Sequence, residues 1–294
     1  MVSARINVVL DYDGTLTAEE KQAATLAAKS LATLSLEILR VPLVRLEEEY
    51  WATRQALVAA PHRYWWEVNG LIASYCDEGA FILNTTTLQI MLKGNPHYSQ
   101  AVAQAFPDAR YDPVVDCTNF LFHYHTAELE PRFRPATRSM LARLIARPDF
   151  VPVVLTNSLG DKVQRNLATL HLGELMILGD TRQYEMDPTW EHWFSYPGLG
   201  RIQVLPVDEN HQVDLRRPAY YRALERETLT ADGLVVVADT LSLPGALPLV
   251  MGIPFVLLRT PYTPTWCFDF VANHPMGHVL DDLADLPDLL VAIR

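Results

Sequence analysis

The stretch Ile6-Asn-Val-Val-Leu10, running straight into Asp11-Tyr-Asp-Gly-Thr-Leu-Thr17, decides the fold. Ile6, Val8 and Val9 are β-branched and suit a pleated, buried surface, so the first five residues read as a short core strand. Asp-Tyr-Asp-Gly-Thr then breaks the strand with turn chemistry, and Gly14 permits a bend that residues with a Cβ resist. Two carboxylates, Asp11 and Asp13, therefore stand where a strand ends.

The same arrangement recurs downstream. Phe150–Leu155 reads as a strand running into Thr156-Asn157-Ser158, Leu175–Leu178 as a short strand, and Leu234–Ala238 as a strand ending at Asp239. Phe255–Leu258 reads as another, and a further strand is predicted near Ile202–Val207, after a Trp- and Pro-containing excursion over 180–200. Helices are predicted over Arg138–Arg147, about Lys162–Leu170 and Ala219–Glu227, with a helix-like segment reaching Met251. Strands alternating with helices predict an α/β protein with a Rossmann-like, doubly wound parallel sheet. Such sheets bind ligands at the carboxyl ends of their strands, where Asp11, Thr156 and Asp239 all fall.

The region between the first two strands reads differently. Thr17 with Glu20 forms a candidate capping box. Ala27, Leu31, Leu34, Ile38 and Val41 recur at spacings of four and three, one face of a helix that Pro42 ends or kinks. From about 45 to 128 the sequence is mainly helical and rich in aromatics. His123 and His125 alternate as on a strand, but two ligands without a third make a poor metal site, so they read as structural. Trp65-Trp66 could stack on a nucleobase but read as packing, Arg132, Arg134 and Arg138 could contact phosphate but read as a solvated helix start, and Glu47-Glu48-Glu49 read as a solvated face.

Composition narrows the classes of function. At 294 residues the chain suits one large domain or two ordinary ones. Its 24 Lys and Arg against 35 Asp and Glu leave a formal charge of −11, which argues against an extended nucleic acid or an anionic membrane as partner. Cys76, Cys117 and Cys267 are too far apart for a disulfide framework or a cysteine-rich zinc site and suit a reducing compartment. Met1–Leu10 is too short and polar for a signal peptide, and Ala246–Leu258, the longest apolar run, is interrupted by Pro248, Gly252 and Pro254. A cytoplasmic protein is expected. A dimer through the helices between the first two strands is open, but no heptad run is long enough to argue it.

Carboxylates that converge on one site repel unless a cation joins them. Mg2+ accepts oxygen ligands and favours one or two carboxylates with water and a substrate phosphate. One carboxylate can act as nucleophile through an aspartyl-phosphate, and a second can serve as general acid and then base. The Thr156 hydroxyl suits a phosphate oxygen.

On these residues the chain resembles the haloacid dehalogenase-like (HAD) hydrolase superfamily. Residues 11–17 resemble its first motif, Val153–Ser158 its second and Val235–Thr240 its fourth, and Arg217-Pro218 stands where a Lys-Pro third motif is usual. The resemblance implies a HAD-like core over 1–17 and 129–294 and a mainly helical cap over 18–128 that closes over the active site and selects the substrate. It implies Asp11 as nucleophile and Asp13 as general acid and base. Mg2+ would be held by Asp11, the backbone carbonyl of Asp13 and Asp239. Thr156 would hold the phosphoryl group, with Asn157, Gly14 and Thr15 also lining the substrate, and either Arg217 or Lys162 would neutralise the phosphate. An acid at position 13 points to phosphoryl transfer, since relatives that cleave carbon–halogen bonds lack one. The implied activity is Mg2+-dependent hydrolysis of a small phosphomonoester, a nucleotide or sugar phosphate among the candidates. Leu243, with Ser242 adjacent, stands where the fourth motif usually carries a second acid. That departure and Arg217 motivate the alternative of a degenerate member that binds a phosphorylated ligand or a protein without turnover. A phosphotransferase using the same nucleophile is a third reading.

Overall fold

Strand β1 (Ile6–Leu10) lies inside a six-stranded sheet in the computed structural model, which describes residues 4–293. The parts of the readings that fall on Met1–Ser3 and Arg294 lie outside the described residues. After β1 the chain runs through residues 19–130, which form one compact unit, while residues up to 18 and from 131 form another.

The 19–130 unit consists of α1 (Ala23–Thr33), α2 (Leu43–Ala59), the hairpin β2 (Trp65–Val68) and β3 (Leu71–Tyr75), α3 (Ala80–Gly94), α4 (Pro96–Ala105) and α5 (Pro113–Thr126). Leu34, Leu46, Tyr50, Leu92, Val102 and Leu121 meet in its core. The capping box is not formed. Thr17 Oγ1 turns to the Tyr12 carbonyl at 3.4 Å, Glu20 lies in a separate 3₁₀ turn, and the helix begins only at Ala23. The apolar face read from Ala27 onward is real, but beyond Thr33 the helix widens into a π-type turn over Leu34–Leu39 and stops at Arg40, whose φ is 55°. His123 and His125 lie on a helix and not on a strand. Asp112 accepts the backbone N–H groups of Val114 and Val115 at 2.9 and 3.0 Å with Pro113 at the first helical position, a start signal that outweighs the short alternation. His125 is buried with its Nε2 at 3.0 Å from Thr33 Oγ1, and burial lowers its pKa.

From residue 131 the chain forms α6 (Thr137–Ile145), β4 (Phe150–Leu155), α7 (Gly160–Ala168) and β5 (Met176–Leu178). Four short strands follow, β6 (Phe194–Tyr196), β7 (Gly200–Ile202), β8 (Val204–Pro206) and β9 (Gln212–Asp214). Then come α8 (Pro218–Leu229), β10 (Gly233–Ala238), α9 (Ala246–Val250), β11 (Phe255–Leu258), α10 (Thr265–Asn273), β12 (Gly277–Leu280) and α11 (Leu286–Ala292). The sheet order is β12-β11-β10-β1-β4-β5 and every pairing in it is parallel, as the alternation of elements predicts. The strand expected near Ile202–Val207 is instead split between two antiparallel hairpins outside this sheet. Gln203 sits at the break, and its side-chain amide donates to the carbonyls of Trp190 and His192.

Both faces of the sheet are covered, which explains its nearly continuous apolar strands. Val9, Leu155, Val236 and Leu224 belong to one core, and Val8, Leu10, Leu141, Leu144 and Val154 to the other. Register then places the functional loops. Leu10 pairs with Val237 on one side and Val154 on the other, so Asp11 ends level with Ala238 and Leu155, and Asp239 and Thr156 follow one residue later. The three cysteines are buried and form no disulfide, and burial pushes the Cys76 and Cys117 thiols up to about 12. Among the described residues no helix is long and apolar enough to cross a membrane.

Leu141 is fully buried in the core between α6 and the sheet, whereas Leu229 is 86% exposed. Leu141→Ala is expected to cost about 2–5 kcal/mol in urea unfolding, by lost transfer energy plus a cavity. Leu229→Ala is expected to stay within about 0.5 kcal/mol of the parent.

Candidate active site

Gly14 makes the first turn possible and also clears space beside it. Its φ is +81°, and a Cβ built there would fall inside the carboxylate of Asp239. The Asp239 side chain thus packs directly on the Gly14 α-carbon, joining the ends of β1 and β10. Thr15 Oγ1 lies 3.1 Å from Asp239 Oδ1 and 3.4 Å from Asp11 Oδ2. One hydroxyl carries one proton, so it satisfies one of these two carboxylates at a time. Burial pushes the Asp239 carboxyl up to about 7, against the charge of Arg134 and the Thr15 hydroxyl bond that favour its ionised form, and Asp13 adds to the rise.

Arg134, read from the sequence as part of a solvated helix start in preference to a phosphate contact, lies here. The guanidinium places Nε and Nη2 at 2.8 and 2.5 Å from the carbonyl of Gly14 and sits half-buried at this strand end. The reading of Arg132, Arg134 and Arg138 as a solvated helix start therefore fails for Arg134. Arg132 is exposed, and Arg138 is also largely exposed while donating to the Leu170 carbonyl at 3.0 Å.

The Asp13 carboxylate points elsewhere. Ser158 Oγ donates to Asp13 Oδ2 at 2.5 Å, Lys162 Nζ donates to Ser158 Oγ at 2.9 Å, and Lys162 Nζ stands 3.6 Å from Asp13 Oδ1. Ser158 and Lys162 are both buried, and the ammonium also lies over the Tyr12 ring at 5.8 Å from its centre. Burial and the neighbouring Asp13 charge hold the Tyr12 phenol well above its ordinary pKa, so it stays neutral under the ammonium. Residue 158 precedes 162 by one helical turn, which lets a side chain in the first turn of α7 reach back to the loop. Sequence reasoning overlooked Ser158, although its place in Thr156-Asn157-Ser158 and this spacing were available signals.

Thr156 Oγ1 accepts the Ser158 backbone N–H at 3.1 Å, and Asn157 Oδ1 accepts that of Gln183 at 2.7 Å, so the loop after β4 is held from within and by the segment after β5. Arg217 is buried at the start of α8. Its Nε donates to the Asp214 carbonyl at 3.1 Å and its Nη1 to the Gln183 carbonyl at 3.0 Å, tying it to the residue that holds Asn157. The charges of Asp11 and Arg217 both act on the buried Tyr220 phenol, which burial raises far above its usual pKa. Leu243 and Ser242 are both buried in the segment Leu241–Gly245.

The resemblance implies a cation held by two carboxylates, Asp11 and Asp239, and by the Asp13 backbone carbonyl. Among the described residues no three His, Cys, Asp or Glu side chains converge as a metal cage. Asp11 and Asp239 share the Thr15 hydroxyl, while the Asp13 carboxylate is turned toward Ser158 and Lys162. This pair still fits Mg2+. Its donors are hard oxygens, and this ion needs only one or two carboxylates.

No family model matches the chain, and no curated protein matches it. It is similar to several solved structures. A HAD-hydrolase of Bacillus subtilis bound to magnesium is 12% identical, with 98% of this chain and 99% of that one covered and a TM-score of 0.47. A predicted phosphoglycolate phosphatase of Haemophilus somnus is 16% identical, with 99% and 100% covered and a TM-score of 0.44. An L-2-haloacid dehalogenase is 16% identical, with 98% and 99% covered and a TM-score of 0.44.

The elevated Asp239 carboxyl makes stability depend on pH with a definite sign. Its folded value, about 7, lies above the ordinary carboxylate value, so its contribution is complete in acid and is lost as pH rises through 7. In EDTA the melting temperature of the parent is expected to fall between pH 5 and 8 more than that of Asp239→Asn. Gly14→Ala is expected to destabilise by more than 1 kcal/mol, since it combines a strained φ with a clash at Asp239, measurable in the same melts.

Proposed function

We propose that this chain is a HAD-like phosphatase that hydrolyses a small phosphomonoester through Asp11. The observation that carries this reading is the support of Asp13, whose carboxylate lies two residues beyond Asp11 and is held by the Ser158 hydroxyl beside the Lys162 ammonium. Halide departs without a proton, whereas an alkoxide leaving from phosphorus needs one, so a supported acid at this position favours phosphoryl chemistry.

An Asp11 carboxylate oxygen attacks phosphorus as the bond to the leaving oxygen breaks, and protonated Asp13 gives its proton to that oxygen. The resulting Asp13 anion is stabilised by the O–H of Ser158 and the charge of Lys162. Water then attacks the aspartyl-phosphate, Asp13 removes its proton, and the bond from Asp11 to phosphorus breaks, releasing phosphate and restoring both residues. The Thr156 hydroxyl and the glycine turn at 14–15 hold the phosphoryl oxygens. Mg2+ held by Asp11, Asp239 and the Asp13 carbonyl would draw charge from those oxygens. Arg217 and Arg134 are the cations assigned to the Asp11 and Asp239 side, leaving Lys162 to Asp13. The substrate class is a small phosphorylated metabolite such as a nucleotide or sugar phosphate, and three buried thiols outside any disulfide support a reducing, cytoplasmic setting.

Phosphate release from a panel of phosphomonoesters with Mg2+ tests the reading. Asp11→Asn is expected to fall to background, Asp13→Asn to lose about 10²–10⁴-fold in kcat, and EDTA to stop release. No release by the parent above the Asp11→Asn background would overturn it. Ser158→Ala is expected to slow alkyl phosphates much more than p-nitrophenyl phosphate, whose leaving group needs little protonation, and Ser158→Thr to recover most of the loss.

A further inference from the structure

Helix α2 turns Val44, Trp51 and Val58 to solvent, 62%, 52% and 59% exposed, while Leu46, Tyr50 and Leu57 on its other side are buried. The three exposed residues are spaced by seven, so they form one stripe along two turns in each direction from Trp51. Single exposed apolar residues are ordinary on a protein surface. A line of three large ones on one helix marks an interaction surface.

The pattern is symmetric about Trp51, and that symmetry identifies the partner. A two-fold axis at Trp51, perpendicular to the helix, sets Val44 of one copy against the partner's Val58, and the reverse, as an isologous contact requires. The charges obey the same symmetry. At 100° per residue, Glu47 and Arg54 lie on the same flank of the stripe, and antiparallel helices bring like flanks together. Glu47 would thus face the partner's Arg54, twice over. Within the protomer, Arg54 Nη1 is buried without a hydrogen-bond partner, and its Cζ rests 5.9 Å from the centre of the Trp51 ring. The guanidinium therefore lies along the apolar stripe.

We propose that two copies of this protein associate through antiparallel pairing of their α2 helices, centred on Trp51 and flanked by reciprocal Glu47–Arg54 ion pairs. The helix has 17 residues, about 25 Å at ~1.5 Å per residue, so the pair makes an interface at the small end of specific ones. Dissociation constants on the order of micromolar are the matching expectation.

Sedimentation equilibrium of the full chain over roughly 1–200 µM, a range that brackets such an affinity, tests this. The parent is expected to show a reversible monomer–dimer equilibrium. Trp51→Glu, with an unchanged circular dichroism spectrum, is expected to weaken it beyond the measured range. Should that variant fold poorly, the charges give an independent readout. Glu47→Arg and Arg54→Glu singly are expected to weaken association roughly tenfold or more, and the double reversal to restore it. A parent that stays monomeric throughout overturns the proposal. So does a dimer indifferent to Trp51→Glu and to the charge reversals, which would place the contact on another surface.

Discussion

The in-register parallel pairing of β1 with β10 on one side and β4 on the other underlies everything else in the larger unit. Because Leu10 stands opposite both Val237 and Val154, three chain reversals occur at one level of the sheet. A slip of one residue on any strand would send its apolar set to the wrong face, and the two cores above and below the sheet hold the register against that. The loops at 11–15, 156–158 and 239–240 therefore meet because the cores are packed, independently of any attraction between their side chains. Acids that would repel each other in solution are held together by apolar burial far from them.

Burial has an electrostatic cost that the surrounding residues offset in two distinct ways. At Asp239 the remedy is partial. A shared hydroxyl and a nearby guanidinium leave the carboxyl at about 7, still inclined to hold a proton in neutral water. At Asp13 one hydroxyl proton and one ammonium are directed at the two carboxylate oxygens. The two acids thus stand in different surroundings, one beside a shared hydroxyl and a guanidinium, the other beside its own hydroxyl and ammonium. A difference in environment between neighbouring carboxylates is how one site can assign separate roles to identical functional groups.

Much of this was legible beforehand, and the rest was hidden for identifiable reasons. The runs 6–10, 150–155 and 234–238 are apolar, short and ended by turn chemistry, so their strand character could be read locally and their parallel arrangement from the helices that alternate with them. Asp11, Thr156 and Asp239 followed from where those runs stop. Arg134 could not be found that way, because its contact with Gly14 spans 120 residues and depends on tertiary packing. Ser158 contacts Asp13 across 145 residues, but its link to Lys162 is local and was open to inspection. His123 and His125 misled because two residues cannot distinguish period 2 from a helix, while the Asp112-Pro113 start signal ten residues earlier could have. Around 202–207 the apolar content was read correctly but not the chain reversals that divide it.

The attachment of the 19–130 unit has a consequence for how such a chain can change. The two segments that lead out of and back into the larger unit are already bonded to each other: Thr17 bridges Phe133 in antiparallel fashion, and the Ala18 N–H donates to the Arg132 carbonyl at 2.6 Å. The inserted stretch is therefore a long excursion whose ends are closed at its base by a two-stranded clasp. Closing a loop costs entropy that grows only slowly with its length, and a clasp confines that cost to one place. The excursion can thus be lengthened, shortened or replaced with another sequence without re-threading the sheet. Sequence change can then accumulate in one segment, while the strand ends at 11–15, 156–158 and 239–240 stay as they are.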